Sequence, residues 1–207
     1  MFAAALAAQA APVAASARVT YSRSFKGSQP SFLQVEIAQD GQASYQAREQ
    51  DSDPLTSLSF TASPATVAEV FRAADALRHF AGPKLESKDK VAFTGEKMLA
   101  FDDATQHASQ LFTYTKLAPA VALIGLMEKI STTGIAAIRL QRAMKYQPLN
   151  LLDLMESAQT DWAQHQMAEP QLLQPTLEAL VASPAAMSAA KDRAQKLLDA
   201  MAKAKNR

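Results

Sequence analysis

Three histidines are the side chains of this sequence that could exchange protons near neutral pH, because the unperturbed pKa of histidine is about 6.5. His107 follows two carboxylates, Asp102 and Asp103, which could orient the imidazole for acid–base work or share a metal ion with it. Loops of this composition are also common as plain solvated turns. His79 comes late in the first predicted helix, where a cation is favourable beside the carbonyl end of the helix dipole. We therefore keep His107 with Asp102 and Asp103 as one candidate centre for hydrolysis or metal binding.

A second candidate combines one imidazole with two carboxylates further along the chain. Asp161, His165 and Glu169 are spaced at i, i+4 and i+8, so an unbroken helix would align them along one side. This set of ligands suits a divalent cation. Pro170 directly after Glu169 disfavours the last turn, and exposed helices often carry similar polar residues. The two interpretations are a metal site and a solvated helix surface.

A small basic and aromatic group is the third candidate, this time for binding. Arg139, Arg142 and Tyr146 fall on one side of a predicted helix and could contact nucleic acid or anionic lipid. The alternative is an ordinary solvated helix face. The chain carries 21 Lys and Arg against 20 Asp and Glu, and neither residues 18–116 nor residues 117–207 have a strong positive excess. Because binding to a phosphate backbone usually requires such an excess, we expect no nucleic-acid partner.

Several enzyme classes are disfavoured by what the sequence lacks. Without cysteine, the chain has no disulfide, thiolate nucleophile or cysteine-ligated metal. None of its six glycines forms a G-x-G-x-x-G or G-x-x-x-x-G-K-[ST] loop, and the sequence has no G-x-S-x-G elbow. We therefore exclude enzymes that depend on those loops, and we expect no cofactor.

Residues 1–17 have the composition of a secretory leader. The segment is short, apolar and rich in alanine, and Ala15-Ser16-Ala17 supplies the A-x-A pattern of a cleavage site before Arg18. The basic residue that usually precedes the apolar run is missing, and the run is shorter than the roughly 20 apolar residues that cross a bilayer. We interpret 1–17 as a signal-peptide remnant and predict a periplasmic or secreted protein without a transmembrane segment. The alternative is a cytoplasmic protein that begins with an alanine-rich helix.

The chain that follows this segment alternates with a period of two, which is typical of half-buried strands. Asp40-Gly41 separates two alternating runs and is a strong hairpin signal, because glycine accepts the positive φ of a tight turn. Ser63-Pro64 begins the one helix of this region. The strands are predicted at 19–25, 33–37, 43–47, 55–61, 97–101 and 108–115. This order predicts an α+β domain at 18–116, with an antiparallel sheet and one packed helix.

From residue 117 onward the pattern is helical, with apolar residues at intervals of three and four. Ser131-Thr-Thr-Gly134 is predicted to break the first helix, since these residue types disfavour helix interiors. The later helices are predicted at 135–147, 149–167, 171–182 and 185–204. Residues 117–207 are therefore expected to form a helical region built of helical hairpins.

These observations together predict a non-catalytic periplasmic or secreted protein that binds another protein or assembles with itself as a homo-oligomer. The helices of the second half suit docking on a partner. One alternative is a metal-dependent or His/carboxylate hydrolase that uses one of the histidine groups. Another alternative is a cytoplasmic helical interaction protein.

Overall fold

The computed structural model describes residues 16–205, and these residues form an antiparallel sheet followed by packed helices. The strands are β1 (Arg18–Ser24), β2 (Phe32–Ala38), β3 (Gln42–Arg48), β4 (Thr56–Thr61), β5 (Glu96–Asp102) and β6 (His107–Phe112). They lie side by side in the order β4-β3-β2-β1-β5-β6, and every neighbouring pair is antiparallel. The α+β class expected from the sequence is confirmed. The leader prediction concerns residues 1–17, of which 1–15 lie outside the described residues.

Five α-helices complete the described part of the fold. They are α1 (Pro64–Ala76), α2 (Ala118–Tyr146), α3 (Leu151–Ala163), α4 (Gln174–Ala182) and α5 (Ser188–Lys205). Short 3₁₀ turns at Pro148–Asn150 and Pro170–Leu172 precede α3 and α4. Prolines stand at the first positions of both turns, where their missing N–H costs no hydrogen bond.

Two local signals produce the structure that the sequence predicts. Gly41 has a φ of 88° in the β2–β3 turn, and the side chain of Asp40 accepts a hydrogen bond from the N–H of Gln42 at 3.0 Å. Ser63 caps α1, because its Oγ accepts a hydrogen bond from the N–H of Thr66 at 3.2 Å. Both predictions, the hairpin and the helix start, are confirmed.

One face of the sheet is covered by helices and the other is open. Tyr21, Val35 and Tyr45 occupy adjacent registers on the covered face and are fully buried. Their sequence neighbours point the other way, because side chains alternate along a strand, and Ser22 and Gln34 there are only half-buried. The alternation in sequence therefore corresponds to an apolar face against helices and a polar face towards solvent.

The long helix α2 joins the two halves of the molecule. Its 29 residues span about 43 Å at 1.5 Å per residue. Leu123, Met127 and Ile130 pack into a core with the sheet and α1, whereas Leu140 and Ala143 pack into a second core with α3, α4 and α5. One helix thus contributes to both cores, and the division of the chain into domains 18–116 and 117–207 stays a prediction.

The predicted break at Ser131-Thr-Thr-Gly134 is wrong, because α2 runs through it without interruption. Each hydroxyl of the motif donates a hydrogen bond to the carbonyl four residues earlier, at 2.9 to 3.1 Å, which satisfies the side chain within the helix. Gly134 is fully packed, since the ring of Tyr45 lies directly against its Cα. Packing on the sheet therefore overrides the weak helix propensity of the motif.

The described residues contain one helix, α2, whose length and composition would allow it to cross a bilayer. Ten of its 29 residues are buried against the rest of the protein. The expectation that the chain has no transmembrane segment stays a prediction.

Candidate functional site

A cleft of about 930 Å³ lies between the C-terminal half of α2 and the connection from β3 to β4. Its volume is within the usual range for ligand sites. Apolar side chains contribute to its lining from both sides, including Ala47, Ile135, Ile138 and Leu154. Charged side chains of both signs are interspersed with them: Glu49, Asp53, Arg139, Arg142 and Lys145. An apolar lining with a few charged groups is the usual character of a binding site.

The strongest ion pair of the cleft joins the sheet to α2. Glu49 follows the last residue of β3, and Arg139 projects from the middle of the second half of α2. The guanidinium of Arg139 donates from Nε at 2.9 Å and from Nη2 at 2.5 Å to the same oxygen, Oε1 of Glu49. Both side chains are partly buried, so this pair fixes the wall of the cleft.

A weaker pair lies one helical turn further along. Arg142 is 56% exposed and stands 3.6 Å from the carboxylate of Asp53, beyond a normal hydrogen-bond distance. Lys145 places its ammonium 5.0 Å from the ring centre of Tyr146, a cation–π contact that holds the aromatic ring at the rim. The tyrosine raises the pKa of Lys145, which stays charged at neutral pH. Arg142 and Lys145 therefore present positive charge to solvent.

Buried polar atoms near the cleft have no partner among the described residues. They include the second oxygen of Glu49, Oε2, and the hydroxyl of Tyr45. Burial raises the pKa of the Tyr45 hydroxyl, and the negative charge of Glu49 raises it further. A buried acceptor without a donor is costly, so Glu49 Oε2 is a position at which a buried bridging water would be favourable.

A second polar group lies under α2 closer to the centre of the sheet. Glu128 accepts a hydrogen bond from the hydroxyl of Tyr21 at 2.5 Å and two from one nitrogen of Arg23 at 3.0 and 3.1 Å. Burial raises the pKa of Tyr21, with Glu128 contributing in the same direction. Both oxygens of Glu128 are occupied by the protein itself, so this group ties the helix to β1.

His107 and its two candidate partners lie on the surface of the sheet, at and beside the turn between β5 and β6. His107 and Asp102 are cross-strand partners, and the imidazole Nδ1 lies 2.7 Å from the carboxylate. Asp103 does not join them, since its carboxylate accepts hydrogen bonds from the N–H groups of Thr105 and Gln106. The imidazole and Asp102 are mostly exposed, so the pair has neither the burial nor the enclosure of a typical acid–base centre.

The predicted alignment of Asp161, His165 and Glu169 is not formed. Helix α3 ends at Ala163, and His165 and Glu169 have φ values of 56° and 55°, which turn the chain out of the helix. Among residues 16–205, no three His, Asp or Glu side chains are grouped so that they could hold a metal ion. Burial raises the pKa of Asp161, while the positive charge of Arg139 opposes that shift.

Glu169 instead caps a distant helix. Its carboxylate accepts hydrogen bonds from the N–H and the hydroxyl of Ser63, both at 2.8 Å, and from the hydroxyl of Thr66. These donors stand at the N-terminus of α1, where a negative charge is favoured by the helix dipole. The side chain is buried, so this carboxylate links the segment before α4 to the N-terminus of α1.

The sequence matches no protein-family model, and it matches none of the curated proteins. The site is therefore judged from its geometry alone.

The structure brings together one of the three candidate groups in a concave site. Arg139, Arg142 and Tyr146 share a face of α2, as their spacing predicted, and all three line the cleft, which the sequence did not predict. Sequence reasoning missed Glu49 and Asp53, which complete it from the other side. Glu49 does continue the inward alternation of β3 after Tyr45 and Ala47, and a charge at an inward position was the available signal.

Proposed function

We propose that this protein is a non-catalytic binding protein that acts outside the cytoplasm and receives an acidic segment of a partner protein in the cleft beside α2. The observation that carries the proposal is the charge at the cleft. The charge of Arg139 is neutralised by its ion pair with Glu49. Arg142 lies 3.6 Å from Asp53, and Lys145 has no carboxylate partner among the described residues. Two available cations at one rim favour a negatively charged occupant.

The lining favours a polypeptide over a compact small ion. The cleft follows about three turns of α2, from Ile135 to Tyr146, and its lining alternates apolar and polar side chains. An extended chain offers both kinds of contact, because its side chains can be apolar while its backbone carries N–H and C=O groups. Tyr146, which is largely exposed at the rim, would supply an aromatic contact of the type enriched at interfaces.

The test is site-specific photo-crosslinking in the native host. A photoreactive amino acid replaces Tyr146 at the rim of the cleft, and the same amino acid replaces the exposed Met187, far along the chain, as the control. We expect position 146 to capture a protein through an acidic peptide. The double reversal Arg142→Glu with Lys145→Glu should abolish that crosslink.

The outcomes separate the alternatives. The reversal Lys196→Glu with Lys203→Glu on α5 changes the net charge equally and should leave the crosslink intact. Capture of a second copy of this chain would favour self-assembly over a separate partner. Crosslinks that survive the cleft reversal, or that form equally from position 187, would contradict the proposal.

The compartment is tested by the intact mass of C-terminally tagged protein from separated cell fractions. The proposal expects a shortened chain outside the cytoplasm, beginning at Arg18 or after the earlier Ala8-Gln-Ala10 pattern. The two sites differ structurally, because the carbonyl of Ala17 accepts a hydrogen bond from the N–H of Gln39 at 2.8 Å. Only the earlier cleavage preserves that bond. Full-length protein confined to the cytoplasm would contradict export.

A further inference from the structure

The connection between α1 and β5 presents apolar side chains to solvent at a position remote in sequence from the cleft. Val91 and Phe93 are 47% and 59% exposed. Phe93 contacts the ring of Phe25, in the β1–β2 connection, edge to face with the ring centres 5.6 Å apart. The exposed pair is therefore part of a small apolar surface made by two loops.

This connection is tied down on both sides of its apolar tip. The carboxylate of Glu86 accepts hydrogen bonds from the N–H and the hydroxyl of Thr113, at 2.6 and 2.8 Å. Beyond the tip, Lys97 donates to the hydroxyl of Thr94 at 3.0 Å and to the carbonyl of Thr113 at 3.1 Å. The backbone N–H of Ser87 also donates to the carbonyl of Tyr114 at 2.8 Å, and the side chain of Tyr114 is exposed as well. The fold thus holds the apolar side chains outward.

The sequence on either side of the apolar tip carries an excess of positive charge. The segment from Lys84 to Lys97, which includes the first two residues of β5, together with Lys26 beside Phe25 and Lys116 beyond Tyr114, carries six lysines and three carboxylates, a net charge of +3. The whole chain carries +1, so the remaining residues sum to −2. Asp89 pairs with Lys116, whereas Lys88 and Lys90 form no ion pair within residues 16–205. We call this surface the lysine–aromatic patch.

We infer that the lysine–aromatic patch docks on the surface of an anionic lipid membrane. Lysines near an anionic bilayer are attracted to its headgroups, and exposed aromatic and apolar side chains insert at the boundary of the hydrocarbon region. A second copy of the chain does not fit this surface, because two patches of +3 repel each other. The inference does not depend on the cleft, since none of the residues that form the patch lines it.

The test is co-sedimentation of the full chain with vesicles of equal parts phosphatidylglycerol and phosphatidylcholine, compared with phosphatidylcholine alone, at about 0.1 M salt. We expect binding to the anionic vesicles only. Each lysine near an anionic surface contributes roughly fivefold to the partition, so Lys88→Glu with Lys90→Glu should lower it by at least about 25-fold. Phe93→Ser should lower it by about fivefold.

Matched controls lie on other surfaces of the protein. Lys196→Glu with Lys203→Glu reverses two exposed charges on α5, and Leu149→Ser removes a leucine that is 82% exposed. Both should bind as the parent chain does, and since all variants share residues 1–17, that segment cancels from the comparison. Thermal melts confirm that each variant is folded. Equal binding to neutral vesicles, binding unchanged in the patch variants, or no binding to either vesicle would overturn the inference.

A protein partner on the same surface is the competing outcome. A photoreactive amino acid at position 93 should label lipid when anionic vesicles are present. Labelling of a protein in its place, with no affinity for the vesicles, would show that the patch is a protein interface and would likewise overturn the inference.

Discussion

The Cα of Gly134 in α2 lies directly on the ring of Tyr45 in β3. A Cβ at position 134 would stand 2.6 Å from both Cγ and Cε1 of that ring, closer than real atoms approach. At this contact the long helix packs closely on the sheet, and Tyr45 is completely buried. A single glycine thus sets the distance between α2 and the strands that form one wall of the cleft.

Gly134→Ala should destabilise the protein even though alanine is the better helix former. Helix propensity favours alanine by about 1 kcal/mol, but forcing a methyl group into a packed aromatic contact typically costs about 1–3 kcal/mol. Because Tyr45 is fixed between neighbouring strands, we expect the cost to exceed the gain and give a net loss of up to about 2 kcal/mol in urea unfolding. Gly125→Ala is the matched control in the same helix, since nothing lies within 4 Å of its added Cβ. That variant should gain about 0.5–1 kcal/mol, and equal effects of the two would contradict the packing argument.

The carboxylate of Glu169 should contribute more to stability than an exposed acidic side chain of the helical region. Glu169→Ala leaves the N-terminus of α1 without three hydrogen bonds to a charged acceptor, so we expect a loss of about 2–3 kcal/mol in the free energy of unfolding. Glu169→Gln keeps one acceptor oxygen and should lose less. Glu178→Ala is the control, because Glu178 is exposed and bonds only Gln174 on its own helix. It should change stability by less than about 0.5 kcal/mol.

The predictable parts of this fold are those that local sequence determines. Strand alternation, the Asp40-Gly41 turn and the Ser63-Pro64 helix start each depend on a few adjacent residues, and all three are correct. The continuity of α2 through Gly134 depends on a ring from a strand almost 90 residues earlier, which no local pattern contains. The sequence does not predict the role of Glu169 for the same reason, since its donors at Ser63 and Thr66 are more than 100 residues away.

The candidate site divides in the same way. Arg139, Arg142 and Tyr146 share a helix face, so their spacing alone predicts that they lie together. Their counterparts Glu49 and Asp53 reach the cleft through the register of the sheet against α2, a tertiary relationship. The sequence of α2 shows only the basic side chains of the cleft. In the structure, Glu49 and Asp53 lie opposite them, so the cleft carries charges of both signs.

Replacing Arg139 should destabilise the protein more than replacing Arg142, the other arginine of the cleft. Arg139→Ala leaves the partly buried carboxylate of Glu49 without its partner, so we expect a loss of about 1.5–3 kcal/mol in chemical unfolding. Arg142→Ala removes an exposed pair at 3.6 Å and should cost less than about 0.5 kcal/mol. The double variant Arg139→Ala with Glu49→Ala should lose less than the sum of the two single changes. Additive losses would mean that the pair is not coupled.

The β5–β6 turn should make the stability of the protein depend on pH through Asp103. The N–H of Thr105, its hydroxyl and the N–H of Gln106 donate to this carboxylate and hold its pKa below the ordinary value. A lowered pKa in the folded state means that the contribution is present above the pKa of the unfolded chain, about 3.9, and disappears as the pH falls through the folded-state pKa. Asp103→Asn keeps the shape of the turn and removes the charge. The parent chain should therefore lose more stability than Asp103→Asn between pH 5 and pH 2.5, followed by urea midpoints. The stability of Asp192→Asn, on the exposed face of α5, should depend on pH as that of the parent chain does. The same pH dependence for all three proteins would show that the turn does not stabilise the ionised carboxylate of Asp103.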